Sequence, residues 1–462
     1  MSYKLREIAP DSKFSRSLSC TLLQQIIPLE RIKAVLSQHH ATEKRERKLN
    51  MVVIIWVLIA MNLFTDCSLG YVLRKLAQGL RYIWPDPDYA LPGDNAITYR
   101  RYQLGPRPLV ALFKQCCHPI ATRETPGAFR FGLRLMAIDS TIEDVADTPA
   151  NDQAFGRLGA VRGQSAFPQV RCVYLVECGT HAIVDAGVWP CQTAERLGGF
   201  RLLRSITPDM LLMWDRGFHS CEMFRAVRRR GAHALSRLPK LVQPEYLQRL
   251  CDGSWLAYLY PKGSRLKRQS ERILVRVIEY TLTDPTRSGY DEPHRIVTTL
   301  LDPYLARALD LVDAYHERWE IETTIDEVDT HQRLINHPLR SKKPVGVIQE
   351  IYALLIAHFI LRSFMHQAAL EARVDPDRLS FLQTVRLVQD ALPEFEMTMG
   401  EHLPALFPRL LHDLSTQRLP KRRRRCNPRV VKRKMSDFPL KRPEHLHPPK
   451  PTCSFREAVL LI

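Results

Sequence analysis

The chain has no CxxC pair, and its eleven cysteines are scattered from Cys20 to Cys453. That spacing offers neither a zinc site nor a disulfide framework, and it suits a reduced compartment. The adjacent Cys116, Cys117 and His118 read as helix packing, because neighbouring cysteines do not easily chelate one ion. No apolar run is long enough to cross a bilayer. MVVIIWVLIAMNLF, residues 51–64, has fourteen residues, and the run 351–361 is shorter and contains His358. The N-terminal MSYKLREIAPDSKF lacks an apolar stretch followed by a small-residue cleavage site, so no secretory signal is expected. No internal repeat is visible. These absences predict a cytoplasmic protein with no membrane partner.

Acidic residues are also in short supply. Asp+Glu number 49 against 67 Lys+Arg, a formal net charge of +18. A surplus of that size points to a polyanionic partner: DNA, RNA or an anionic membrane surface. The rest is ordinary for a globular protein, with 45% hydrophobic and 25% charged residues over 462 positions. That length holds roughly two to four domains with real cores.

Five segments are expected. Residues 1–125 read as a helical DNA-binding domain whose basic helices carry Arg100, Arg101 and Arg107. Residues 126–238 read as the first part of an α/β core. Its expected strands are Arg134–Ile142, Gln169–Glu177, His181–Trp189, Met210–Trp214 and His233–Arg237. Thr193 is the expected cap of one intervening helix, and Gly231 the expected stop of another. Residues 239–301 read as a β-rich insertion. Residues 302–370 return to helix, and residues 371–462 are helical with a basic tail holding clusters at 421–425 and 432–434.

Three carboxylates stand out against this frame. Asp139 lies in an apolar strand before Ser140 and Thr141, where a charge is costly unless it is paired or bound to a cation. Asp215 ends another strand, in WDRGF, with Gly217 allowing a sharp turn. Strand carboxyl ends are where ligand groups collect in open α/β sheets. Glu322 follows Tyr315 and Arg318 at helical spacing, so the three are expected on one face of one helix. Two strand aspartates and a helical glutamate can hold two Mg²⁺ or Mn²⁺ ions about 4 Å apart for phosphodiester chemistry. Arg237, Arg318, Lys342 and Lys343 are expected phosphate contacts. Taken singly, a strand aspartate also reads as an Asx-turn or ion-pair partner, and the Tyr-Arg-Glu stripe as a surface salt-bridge network. Trp255 reads either as a core residue or as a stacking platform for a displaced base.

Together these residues resemble a known family. YHERWEIE matches the Y-x2-R-x3-E part of the Y-x2-R-x3-E-x6-K motif of insertion-sequence-4 transposases through Tyr315, Arg318 and Glu322. AIDST resembles the family's first carboxylate strand and WDRGF its second. Arg237 matches an arginine in the following strand, and LRSKKPVGVIQEIYALLIAHFILR resembles the helical segment beyond the glutamate. The resemblance covers roughly residues 25–370. It implies a ribonuclease-H-like catalytic core, an α/β fold with a mixed sheet flanked by helices. It also implies an all-β insertion before the last catalytic helix and an all-α N-terminal domain. Asp139, Asp215 and Glu322 would be the catalytic metal ligands. The partners would be terminal inverted repeats and target DNA, bound by a homodimer at the nucleoid. The reaction would be cut-and-paste transposition through a hairpin.

The motif's lysine is replaced by Asp329. If close to phosphate, an aspartate repels it by about 1–3 kcal/mol. His331 or Arg333 would then have to supply the DNA contact. A second reading stands beside the first: a transposase-derived DNA-binding protein with impaired catalysis, in which Asp329→Lys restores activity.

Overall fold

The computed structural model describes residues 4–45, 47–160, 163–263, 266–287, 289–333, 337–420, 440–446 and 450–462. The basic clusters at 421–425 and 432–434 lie outside them. Eleven strands matter here: β1 (Phe129–Arg130), β2 (Leu133–Asp144), β3 (Gln169–Glu177), β4 (Ala182–Pro190), β5 (Met210–Trp214), β6 (His233–Arg237), β7 (Glu245–Arg249), β8 (Trp255–Leu259), β9 (Ile273–Leu282), β10 (His294–Thr298) and β11 (Val459–Leu461). The helices used below are α1 (Met51–Ala60), α2 (Glu195–Leu202), α3 (Cys221–Arg229), α4 (Ala308–His316), α5 (Glu320–Asp326), α6 (Pro344–Ala372), α7 (Phe381–Met397) and α8 (Leu403–Thr416).

The chain folds into two compact units of interleaved segments. The first comprises Met1–Ala128, Asp139–Ser205 and Glu320–Arg418; the second comprises Phe129–Ile138, Ile206–Trp319 and Leu419–Ile462. β2 contributes to both, dividing between Ile138 and Asp139.

The first unit is built on α6, a buried helix of 29 residues that packs against α1, α7, α8, β4 and the helix Arg107–Cys116. By length and composition α6 is long and apolar enough to cross a membrane, contrary to the reading of 351–361 as a short run. It carries Glu350, His358 and Arg362 at buried positions, each bonded to protein partners, which marks it as a core helix here. α1 is apolar on all sides and begins at Asn50, whose side chain accepts from Val53 N–H at 2.8 Å. Two arginines expected on a DNA-binding face are internal. Arg100 is buried against Glu43, Gln103 and the Leu49 carbonyl. Arg101 is buried against Gln349, Ser341 and the Gly346 carbonyl. Arg107 is exposed. β3 and β4 form the expected hairpin, from Val170↔Pro190 to Glu177↔Ala182. α2 starts after Ala194 rather than Thr193, and no side chain caps it.

In the second unit β2 runs parallel to β5, and β5 parallel to β6. Every residue of β5 is buried, as a central strand covered on both faces requires. α3 is capped by Ser220 and stops before Gly231, whose φ of 76° is the left-handed conformation glycine accepts without strain. The strands expected as an insertion do not make a sheet of their own. β10 pairs antiparallel with β6 through Ile296↔Arg237, and β9, β8 and β7 follow outward in order. A regular edge on β6 offers unpaired backbone groups, and these strands satisfy them. β11, from the far end of the chain, pairs with β9.

Counted through β2, this is a mixed sheet of eleven strands flanked by helices. Its order 4-3-2-5-6, with the last three parallel, is compatible with the ribonuclease-H-like expectation.

Candidate active site

β5 delivers Asp215 at its carboxyl end. Asp215 opens the 3₁₀ turn Arg216–Phe218, and its Oδ1 accepts the Gly217 N–H at 2.8 Å. Gly217 has no left-handed φ, so its role differs from the expected sharp turn. The turn is right-handed, anchored by fully buried Phe218, and the bond to Gly217 orients the carboxylate.

Three of the expected residues gather around this strand end within the second unit. The Tyr315 hydroxyl donates to the Trp214 carbonyl at 3.3 Å, one residue before Asp215. Burial raises the Tyr315 pKa; Arg318 and Arg237 oppose the rise, and Asp215 adds to it. The Arg318 guanidinium lies 5.9 Å from the Tyr315 ring centroid. Arg237 Nη2 donates to His294 Nδ1 at 2.9 Å, and His294 Nε2 faces the Gly289 carbonyl at 3.1 Å. The pair of bonds defines the tautomer: Nε2 donates to Gly289, and Nδ1 accepts from Arg237. Burial lowers the His294 pKa, which favours this neutral ring. His294 escaped the sequence reading, because strand parity places it beside Arg237 only once the β10–β6 pairing is known. It sits two residues before Ile296, the partner of Arg237, and so on the same sheet face as that pair.

Asp139 and Glu322 belong to the first unit. The β2–β5 register runs to Ala137↔Met213; Asp139 lies further along β2, in the first unit, and Asp215 immediately follows β5. Asp139 Oδ1 accepts its neighbour's backbone N–H, from Ser140, at 2.8 Å. Ser140 donates its hydroxyl to Glu195 at 2.7 Å, and Arg171 reaches both Ser140 and Glu195. Asp139, Asp215 and Glu322 are all half-buried. Half-buried carboxylates retain a path to solvent cations, and hard divalent ions prefer such oxygens. The residues therefore suit Mg²⁺ or Mn²⁺.

The single helix expected for Tyr315, Arg318 and Glu322 is broken. α4 ends at His316, a 3₁₀ turn spans Glu317–Trp319, α5 carries Glu322, and a π turn spans Glu327–His331. The three residues thus lie on three successive segments. The irregular path lets Glu320 and Glu327 both reach His181, at 2.9 and 3.1 Å. Arg362 and His358 complete this buried network at 3.0 and 3.2 Å from Glu327. His181, Glu320 and Asp377 also bring possible metal-donor atoms within 4.8 Å of one another. Arg362 already supplies countercharge there, so the group reads as an ion-pair network under the Glu322 helix.

Other expected contacts divide. Lys342 and Lys343 are exposed, and the Lys343 ammonium lies 5.1 Å from the Tyr102 ring centroid. Trp255 is half-buried, with its ring 5.7 Å from that of Tyr246. Arg333 does not face solvent as a phosphate contact requires. Its side chain is 12% exposed and pairs with Glu143. Asp329, expected to repel phosphate, instead turns inward and accepts from Thr141 at 3.2 Å. Its carboxyl is pushed up to about 8, first by burial and then by Glu143. At neutral pH it is therefore mostly uncharged, which removes the repulsion.

A mixed sheet with one aspartate within a strand and another just past a strand's end, followed by a helical glutamate, is compatible with a DDE-type catalytic core. The Transposase DDE domain family matches residues 130–360, and the Insertion element 4 transposase N-terminal family matches residues 17–114. The chain is 27% identical over 432 residues to the transposase InsG for insertion sequence element IS4 of Escherichia coli K12, covering 91% of this chain and 93% of that protein. It is 27% identical over 232 residues to the putative transposase InsZ of the same organism, covering 48% of this chain and 72% of that protein. The piggyBac transposase, in a synaptic complex with hairpin DNA, aligns over 91% of this chain and 88% of its own with a TM-score of 0.42 and 10% identity. The chain belongs to the insertion-sequence-4 family of DDE transposases.

Proposed function

We propose that this transposase binds the terminal inverted repeats of its own insertion element and moves it by cut-and-paste through a hairpin. It works as a homodimer in the cytoplasm, at the nucleoid, with target DNA as the final partner. Asp139, Asp215 and Glu322 hold two Mg²⁺ or Mn²⁺ ions. Cations held there activate a water or 3′-hydroxyl and stabilise the leaving oxygen. Tyr315 braces the end of β5, while Arg318, Arg237, Lys342 and Lys343 contact phosphates. Trp255 offers a stacking surface to a displaced base. In this reading residues 1–125 bind DNA, the segments 126–238 and 302–370 form the catalytic core, 239–301 manage the hairpin, and 371–462 complete the chain.

The observation that supports this most is the gathering of Tyr315, Arg318 and Arg237 about Asp215 at a buried strand's end. A cation and an anionic backbone would find both signs of charge within one unit there. The inward turn of Asp329 removes the motive for the impaired-catalysis reading. The test is cleavage of a linear fragment carrying the element end, with Mg²⁺. Wild type should cut, and Asp139→Ala, Asp215→Ala and Glu322→Gln should bind the fragment without cutting it. Unchanged cleavage by Asp139→Ala, or none by wild type, would sink the proposal.

A further inference from the structure

β2 presents Asp139, Thr141 and Glu143 on one face, because side chains two apart along a strand point the same way. The chain segment after Glu322 meets that face. Thr141 Oγ1 donates to Asp329 Oδ2 at 3.2 Å, Arg333 pairs with Glu143, and Arg333 Nη1 lies 4.0 Å from Asp329 Oδ1. Asp329 Oδ1 and Glu143 Oε1 are both buried and accept no hydrogen bond from any donor group of the described residues. Arg333 thus stands between the two carboxyl groups, paired with one and 4.0 Å from the other. A guanidinium presents several N–H donors in a rigid fork, so one arginine can hold two carboxyl groups together. All four residues, Asp139 and Glu322 belong to the same unit.

We propose that Asp329 and Glu143, held together by the Arg333 guanidinium, form with Thr141 a clasp that fixes the strand of Asp139 against the helix of Glu322 and thereby sets the affinity of the acidic site for its divalent cations. None of the clasp residues touches a cation; they are positioning residues. The inference rests on the reading of Asp139 and Glu322 as cation ligands. It reverses the expectation for position 329. A lysine there would place an ammonium against the Arg333 guanidinium and lose the bond from Thr141, so Asp329→Lys should impair the enzyme rather than restore it. Asp329→Asn keeps a donor toward Glu143 and an acceptor for Thr141, so it should preserve the clasp.

The experiment measures the Mg²⁺ concentration for half-maximal cleavage of an end fragment by the full-length protein, with fragment binding and thermal melting as controls. Asp329→Lys should raise that concentration about 10–100-fold, the range for groups that orient metal ligands, with fragment binding retained. Asp329→Asn should stay within about threefold of wild type. If the lysine variant does not fold, Asp329→Ala replaces it with the same expected direction. An unshifted Mg²⁺ requirement in Asp329→Lys, or in Asp329→Ala where it stands in, would overturn the clasp, as would an Asn variant as impaired as the Lys variant. Absence of cleavage by wild type would instead overturn the functional reading on which the clasp rests.

Discussion

Replacing Arg362 by methionine tests the buried network beneath the Glu322 helix. Arg362 is 1% exposed, and its Nη2 lies 3.0 Å from Glu327, whose side chain is 8% exposed. Methionine fills much the same space but leaves Glu327 with His181 and His358 alone, and with Glu320 as a repelling neighbour. Breaking a buried pair by removing one partner costs about 3–5 kcal/mol. Protonation limits the loss, since burial already raises the Glu327 pKa, against the opposing pull of His358. The cost of neutralising a carboxyl with an ordinary pKa of about 4.3 is 1.36 kcal/mol per pH unit, so the ceiling is about 3.7 kcal/mol at pH 7 and about 1 kcal/mol at pH 5. The sign follows from the raised folded pKa. The stability is fully present below the unfolded value and is lost as pH rises toward the folded one. Arg362→Met should therefore lower Tm by several degrees at pH 7 and much less at pH 5, measured by thermal denaturation of both proteins across that range. A deficit as large at pH 5 as at pH 7 would refute the assignment of Glu327 as the group left without its countercharge.

Two other positions carry sharp expectations. Fully buried Arg276 bonds Asp252, Ser254 and the carbonyls of Asp302 and Ala306, while Asp252 also accepts the Ala308 N–H at the start of α4. Arg276→Met should destabilise the second unit by about 3–5 kcal/mol, seen as a lower denaturant midpoint. His294→Phe removes the acceptor that steers Arg237, and it should weaken end binding by about 0.5–1.5 kcal/mol in a gel-shift titration. Equal affinity for the two proteins would separate Arg237 from DNA contact.

Much of the core was legible because its signals are local. Met210–Trp214 is an unbroken apolar run, and such a run with a turn after it reads as a buried strand whatever surrounds it. The β3–β4 hairpin was readable for the same reason: residue type and alternation suffice. Pairing between distant segments was not readable. That β10 docks on β6, and that β11 returns from the chain's end to β9, depends on which backbone edges lie open after folding. Charge was misread for a related cause. Arg100, Arg101 and Arg333 look like solvent-facing cations in a basic sequence, but each is held by a side chain tens to hundreds of residues away. Asp329 is the clearest case. Its spacing from Glu322 made it a phosphate contact of the wrong sign, whereas the fold turns it inward to Thr141, where burial and Glu143 raise its pKa. The order of Asp139, Asp215 and Glu322 and the residue types around them are local facts that the amino-acid sequence determined by itself. Which charges are spent holding the fold, and which remain for a polyanion, only the tertiary structure decided, because burial is a property of neighbours that sequence spacing does not encode.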